Sequence, residues 1–291
     1  MRLFVSRRSF VAAAGALVLA SAFSSSSFAA DAVLRISSIP DEAPTELQRK
    51  FGPIASYLEK ETGLKTSYVP VSDYAAVVEA LATGKIDLAW LGGFTFVQAN
   101  IRTKGTAKPI VQREEDTKFI SRFITSDPSI KTVADLKGKT FAFGSPSSTS
   151  GHLMPRFFML KDGVNPDKDL KTVAFSGNHD ATVAFVGSGK VAAGVVNASV
   201  WDRIVEQKKT DISKITVFAT TPPYYDYNWT VRGDLDAKLV QKLTDAFLKL
   251  DAKNPEHKAV LDIQRASKFV ATKPENYAGI EQAAQSAGLL K

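Results

Sequence analysis

From residue 32 onward, short apolar runs alternate with segments whose apolar residues recur at helical spacing. That alternation restricts the chain to helices covering a mostly parallel sheet. Residues 33–37 read as a strand. Leu47, Phe51, Ile54 and Leu58 then mark one helix face, ended by Gly63. A strand over 66–71 follows, then a helix capped by Ser72 or Asp73 with Val77, Val78 and Leu81 inward and Gly84 as its stop. Strands are expected at 86–91 and 109–112. The pattern then repeats, with strands at 140–143, 171–175, 191–197 and 215–219 and helices at 150–161, 180–187 and 199–207. Helices at 236–250, 256–263 and 275–289 finish the chain. No long linker divides it, so two lobes would share short crossover strands, for which residues 119–125 and 227–232 are the candidates.

The first thirty residues stand apart. Ser6-Arg7-Arg8-Ser9-Phe10-Val11 leads into an apolar run over 11–22 and then small residues around Ala29 to Ala32. Basic, apolar and small-residue segments in that order form an export signal, here with paired arginines of the twin-arginine type. The apolar run is too short to span a bilayer comfortably. A periplasmic protein with its signal (1–30) removed is expected, by either the general or the twin-arginine route.

Composition excludes several functions. Among 291 residues there is no cysteine, so disulfides, thiolate metal sites, cysteine nucleophiles and an N-terminal lipid anchor are all ruled out. The leader holds three arginines and no acid, leaving 34 basic and 30 acidic side chains. That balance has no concentrated basic stripe, and nucleic acid is not an expected partner. His152, His179 and His257 are scattered without metal-ligand spacing, so neither metal nor cofactor is expected. Gly138-Lys139-Thr140 ends like a phosphate-binding loop, but Val133 occupies its first glycine position. No G-x-S-x-G elbow surrounds the serines at 145–150. The chain therefore reads as a binder, not an enzyme, with hydrolysis by Ser148 or Ser150 with His179 the weakest alternative.

The chemistry concentrates where strands meet helices. Gly144-Ser145-Pro146-Ser147-Ser148-Thr149-Ser150-Gly151 follows a strand and opens a helix. Unpaired N–H groups and hydroxyls there can hold an anion without a full counter-charge. A serine-rich loop with one capping serine is the plainer alternative. Ser176-Gly177-Asn178-His179-Asp180 occupies an equivalent position, where His179 could donate to an oxyanion or serve as a surface residue. By the rule that ligands gather at the carboxyl ends of strands, Tyr74, Trp90, Gly93 and Asn197 join the candidates. Ile39-Pro40-Asp41-Glu42 follows the first strand, and Thr221-Pro222-Pro223-Tyr224-Tyr225-Asp226-Tyr227 is a stiff aromatic stretch that lines a cleft or serves as a connector.

Taken in order, four features resemble the phosphate/phosphite/phosphonate-type periplasmic substrate-binding proteins of ABC transporters. They are Asp73-Tyr74 at a helix start, Gly84-Lys85-Ile86-Asp87-Leu88-Ala89-Trp90-Leu91-Gly92-Gly93, Asp135-Leu136-Lys137-Gly138-Lys139-Thr140 leading to the serine loop, and Ser176 to Asp180. Tyr225-Asp226-Tyr227-Asn228-Trp229-Thr230-Val231-Arg232 is similar to a branch labelled as selenate-binding. The resemblance implies a two-lobed α/β fold of the type II periplasmic-binding kind, each lobe a mixed, mostly parallel sheet flanked by helices, joined by two hinge strands. Lobe one would comprise 31–120 and 226–291, and lobe two 121–225. It further implies that Tyr74, Ser148, Thr149, Ser150 and His179 hold an oxyanion. A monomer that delivers a small anion (phosphate, phosphite, phosphonate or selenate) to an inner-membrane permease is expected, or else one that presents it to a membrane histidine kinase. An acidic ligand-side residue of the phosphonate binders is not evident in the sequence.

Overall fold

The computed structural model describes residues 33–208 and 210–290. The export signal and its cleavage positions lie outside the described residues. The chain begins with β1 (Leu34–Ser38), α1 (Pro44–Thr62), β2 (Thr66–Tyr68), α2 (Tyr74–Ala82), β3 (Leu88–Leu91), α3 (Gly93–Arg102) and β4 (Lys108–Arg113). Next come β5 (Ser121–Thr125), β6 (Thr140–Phe143), α4 (Met154–Lys161), α5 (Pro166–Asp169), β7 (Thr172–Phe175), α6 (His179–Gly187), β8 (Ala193–Asn197), α7 (Ala198–Gln207) and β9 (Thr216–Thr220). The last elements are β10 (Asn228–Val231), α8 (Ala237–Leu248), α9 (Pro255–Gln264), β11 (Phe269–Ala271) and α10 (Ala278–Ser286).

The strands form two sheets, in the orders β11-β4-β10-β3-β1-β2 and β7-β6-β8-β5-β9. Each has a parallel trio: β2, β1 and β3 in the first sheet, and β7, β6 and β8 in the second. Each then accepts one antiparallel strand beside that trio. β10 pairs with β3 through Trp229 opposite Trp90, and β5 pairs with β8 through Phe123 opposite Val195. This is the expected fold class, built twice with the same strand plan.

Local chemistry explains most boundaries. Leu47, Phe51, Ile54 and Leu58 are buried on one face of α1, and Gly63 ends it at φ 74°, a left-handed conformation open to glycine. The Asp73 carboxylate accepts the Ala76 N–H at 2.9 Å and starts α2, leaving Ser72 outside the cap. The first core centres on Trp229, wholly buried and 5.2 Å from Phe247 and 5.4 Å from Trp90. Two further cores, around Phe141 and Val186, cover the second sheet.

Some expectations need correction. β2 stops at Tyr68 because Pro70 cannot extend the ladder. The helix expected at 150–161 opens instead with a π-helical turn, Thr149–Leu153, before α4. The helix expected at 275–289 is a 3-10 turn followed by the shorter α10, and β11 had no counterpart in the sequence reading. Residues 119–125 and 227–232 are not themselves crossings, since β5 and β10 lie inside sheets as buried strands. The chain changes sheet just before each of them. There Phe119 and Tyr224 bond antiparallel at 2.8 and 3.0 Å, and the Asp226 N–H donates to the Asp116 carbonyl at 3.0 Å.

Candidate ligand site between the sheets

The serine loop and the double glycine after β3 face each other across the sheets. Ser148 caps the π turn, its hydroxyl oxygen accepting the Gly151 N–H at 2.9 Å. Its own O–H is thereby left free to donate. A widened turn sets the leading N–H groups of Thr149 and Ser150 without intrahelical partners. The loop is tied to the crossing by Ser121, whose hydroxyl donates to the Ser150 carbonyl at 2.7 Å and lies 2.6 Å from the Tyr224 hydroxyl. Thr149 Oγ1 accepts the Phe94 N–H at 2.9 Å, a bond that joins the second lobe to the first. Gly92 permits this approach, since a Cβ there would lie 2.8 Å from Thr149 Oγ1 and 3.1 Å from Asp226 Oδ1. Gly151 is equally constrained, because a Cβ would meet Ser148 Oγ at 2.9 Å and His179 Cε1 at 3.0 Å.

From His179 the contacts continue around a ring. The Asn197 N–H donates to His179 Nδ1 at 3.3 Å, which places the imidazole proton on Nε2. Burial pushes His179 down to about 4, so it is a neutral donor at physiological pH. Asn197 Nδ2 donates to the Tyr227 hydroxyl at 2.7 Å, and that hydroxyl donates to Asp41 Oδ2 at 2.8 Å. Asp226 Oδ1 accepts the Gly93 N–H at 3.0 Å and borders Thr149, closing the ring. Tyr74 joins it: the charges of Asp41 and Asp226 act on its hydroxyl, as does Ser148, and burial holds its pKa far above the ordinary value.

Four atoms on this ring are buried with no hydrogen-bond partner: Tyr74 Oη, His179 Nε2, Asp41 Oδ1 and Asp226 Oδ2. Leaving such groups unpaired costs about 1–3 kcal/mol each, so their grouping marks a place that a polar ligand completes. The donors are the Ser148 hydroxyl, the turn N–H groups, His179 Nε2 and the Tyr74 hydroxyl. The acceptors are two carboxyl oxygens. Burial, the largest influence, raises both acids: Asp226 to about 7, and Asp41 upward despite the pull of Lys50.

Of the residues singled out by sequence, Tyr74, Ser148, Thr149, Ser150, His179 and Asn197 come together here, although Asn197 contributes through Tyr227 and His179. Ser147 stays at the partly exposed rim, with its N–H toward Ser145 Oγ at 3.4 Å. Trp90 is fully buried, with Tyr227 stacked on its ring at 5.2 Å and its Nε1 without a hydrogen-bond partner. Gly93 supplies its N–H to Asp226. Asp41, Asp226 and Tyr227 were not assigned individually. Their stretches had been marked by position alone, and a lone acid after a strand gives no sign in sequence of whether it is buried. Among the described residues no cluster of three His, Cys, Asp or Glu could hold a metal, and no helix is long and apolar enough to cross a membrane.

The raised carboxyls have a stability consequence. A folded-state pKa near 7 against 3.8 means the folded protein binds the proton more tightly than the unfolded chain. The penalty is absent below about 4, grows as pH rises, and is complete above about 7, reaching at most about 4 kcal/mol. The melting temperature of the ligand-free protein should therefore fall between about pH 4 and 7, and Asp226→Asn should flatten that fall in a calorimetric series. A slope identical in the variant would contradict the burial of an ionisable Asp226.

Two sheets of one strand plan, two short crossings and a polar chamber between them define a two-lobed substrate-binding protein. Residues 36–277 match the family of periplasmic phosphonate substrate-binding proteins of ABC transporters, and the chain belongs to that family. It is 36% identical to a probable ABC transporter phosphite-binding protein, PhnD1, of Prochlorococcus marinus, over 91% of this chain and 93% of that one. It is 25% identical to the phosphonates-binding periplasmic protein of Escherichia coli, over 77% and 68%. The structure of the Prochlorococcus PhnD1 in complex with methylphosphonate superposes with a TM-score of 0.84 at 34% identity, covering 89% of this chain and 99% of that chain. These relatives are binding proteins, not enzymes. As a member of the family the chain is the periplasmic component that binds a small ligand and works with a membrane permease.

Proposed function

We propose that the chain captures a protonatable phosphorus oxyanion, such as phosphite or a small phosphonate, in the chamber bounded by Tyr74, Ser148, Thr149, Ser150, His179, Asp41 and Asp226, and releases it to its permease. The reading rests chiefly on the unpaired Asp226 Oδ2 among the donors. A buried carboxyl facing a tetrahedral anion is tolerable only if one proton is shared between them. Phosphorus oxyanions retain a proton near neutral pH, whereas sulfate and selenate do not. The selenate label of the similar branch therefore fits this chamber less well than a phosphorus ligand does. The same reading divides the chain into lobes of 31–120 with 226–291 and of 121–225, for which the strand membership of the two sheets is the support.

The test is a titration of the mature protein with phosphite, methylphosphonate, phosphate, sulfate and selenate, followed by calorimetry or thermal shift. A ligand at a hundred times its Kd stabilises by about 2.7 kcal/mol. Binding of a phosphorus oxyanion, with sulfate and selenate weaker by a hundredfold or more, is the expected result. Equal or tighter binding of selenate overturns the proposal.

A further inference from the structure

We infer that Glu42, Asp180 and Arg203 form a clamp, outside the anion chamber, that positions Asp41 against His179 and sets how long the closed form lasts. Glu42 follows β1 in the first lobe, whereas Asp180 and Arg203 lie on α6 and α7 of the second. Arg203 Nε is 2.7 Å from Glu42 Oε2, and Arg203 Nη2 is 2.6 Å from Asp180 Oδ1. Asp180 Oδ2 accepts the Ala43 N–H at 3.1 Å, and the His179 N–H donates to the Asp41 carbonyl at 3.0 Å. Three of these contacts join residues 41–43 to the start of α6 and to α7, and the fourth, Arg203 to Asp180, ties the two helices together.

The placement carries the argument. In each lobe a clamp residue is the immediate chain neighbour of a ligand-facing one: Glu42 beside Asp41, and Asp180 beside His179. Fixing the clamp therefore fixes the separation of a carboxyl and an imidazole that come from different lobes. The pair is also shielded. The Glu42 and Arg203 side chains are only 7% and 6% exposed, and Lys50 Nζ, 3.0 Å from Glu42 Oε1, balances the second carboxylate oxygen. Burial alone would raise Glu42, but Lys50 and Arg203 outweigh it and the group stays ionised. Opening the lobes must break a screened ion pair. By contrast, another ion pair from the first lobe to α7, Arg265 to Glu206 at 2.6 Å, has its side chains 29% and 64% exposed. Exposed pairs contribute little, which makes Arg265 an internal control.

The clamp rests on the chamber reading above, and the experiment separates the two. Stopped-flow binding of methylphosphonate is followed in wild type, Arg203→Met, Arg203→Lys and Arg265→Met. The expected result for Arg203→Met is a dissociation rate raised roughly tenfold to a hundredfold with an association rate changed less than about twofold, because truncating a shielded charge pair acts on release. Arg203→Lys should recover part of the loss, and Arg265→Met should resemble wild type. A general structural defect would lower the melting temperature without producing this split of rates. Because the chain has no cysteine, a spin-label pair placed by Gln48→Cys and Lys171→Cys reports the interlobe distance with and without ligand. A distribution shifted to longer distances in Arg203→Met supports the clamp even if the wild type binds none of the tested anions, an outcome that would sink the chamber reading alone. Unchanged dissociation and an unchanged distance distribution in Arg203→Met, or an equal effect from Arg265→Met, overturns it.

Discussion

Asp226→Asn is expected to abolish the preference for protonatable anions. Asp226 Oδ1 is held by the Gly93 N–H, so the asparagine oxygen takes that bond and the amide NH₂ faces the chamber. A donor then stands where the wild type shares a proton. Sulfate and selenate gain a partner, and the ratio of phosphonate to sulfate affinity should fall by about a hundredfold or more, the scale on which one mismatched buried polar group discriminates. The pH dependence sharpens the test. Above the pKa of both ligand and Asp226, wild-type binding must take up one proton, so Kd should rise about tenfold per pH unit. The asparagine variant has no such requirement, and its affinity should be nearly flat between pH 7 and 9. Competition calorimetry across that range reads both effects. A wild type without the alkaline rise would remove the shared proton from the account.

The second large effect is expected from Ser148→Ala with Thr149→Ala. The Ser148 hydroxyl donates into the chamber, and Thr149 holds the chamber wall, its Oγ1 receiving the Phe94 N–H across the lobes and its side chain bonding Asp226. A hydrogen bond to a charged partner contributes about 1.5–3 kcal/mol, and loss of the Thr149 bonds frees a buried carboxyl and a buried N–H at the chamber wall. Together the two losses predict a Kd for methylphosphonate raised roughly 10² to 10⁴ fold. Ser148 also caps the π turn, which adds a cost of about 1 kcal/mol to the fold. The ligand-free melting temperature should therefore drop by only a few degrees while binding collapses. An unchanged Kd would remove the serine loop from the site.

The strand–helix alternation made the fold legible because both periods are local. Leu47, Phe51, Ile54 and Leu58 identify α1, and Gly63 its end, without reference to anything distant. The serine loop was legible for a related reason: hydroxyls between strand and helix have few other uses. The missed features are those created by distant contact. The partner of Trp90 was not legible from its place at a strand end: Tyr227, remote in sequence, lies over its ring at 5.2 Å. Asp226 looked like part of a stiff connector. Only the approach of Gly92, Gly93 and Thr149 turns it into a buried acid aimed at the chamber. Pro155 was the signal missed at the π turn Thr149–Leu153: five residues into a helix starting at Ser150 it would break the ladder, whereas it suits the first turn of α4.

The position of β10 in the first sheet bears on when the chain can fold. That strand lies between β3 and β4, so the sheet lacks an inner member until residues 228–231 arrive. Everything from β5 to β9 is made before then, and those strands complete a sheet of their own. The second lobe can therefore mature first, while the earlier half of the first lobe waits with β3 and β4 unjoined. Such a gap of more than a hundred residues between partners makes closure of the first sheet the slow, late event. A chain cut between β9 and β10 would pair a finished second sheet with exposed inner edges on β3 and β4.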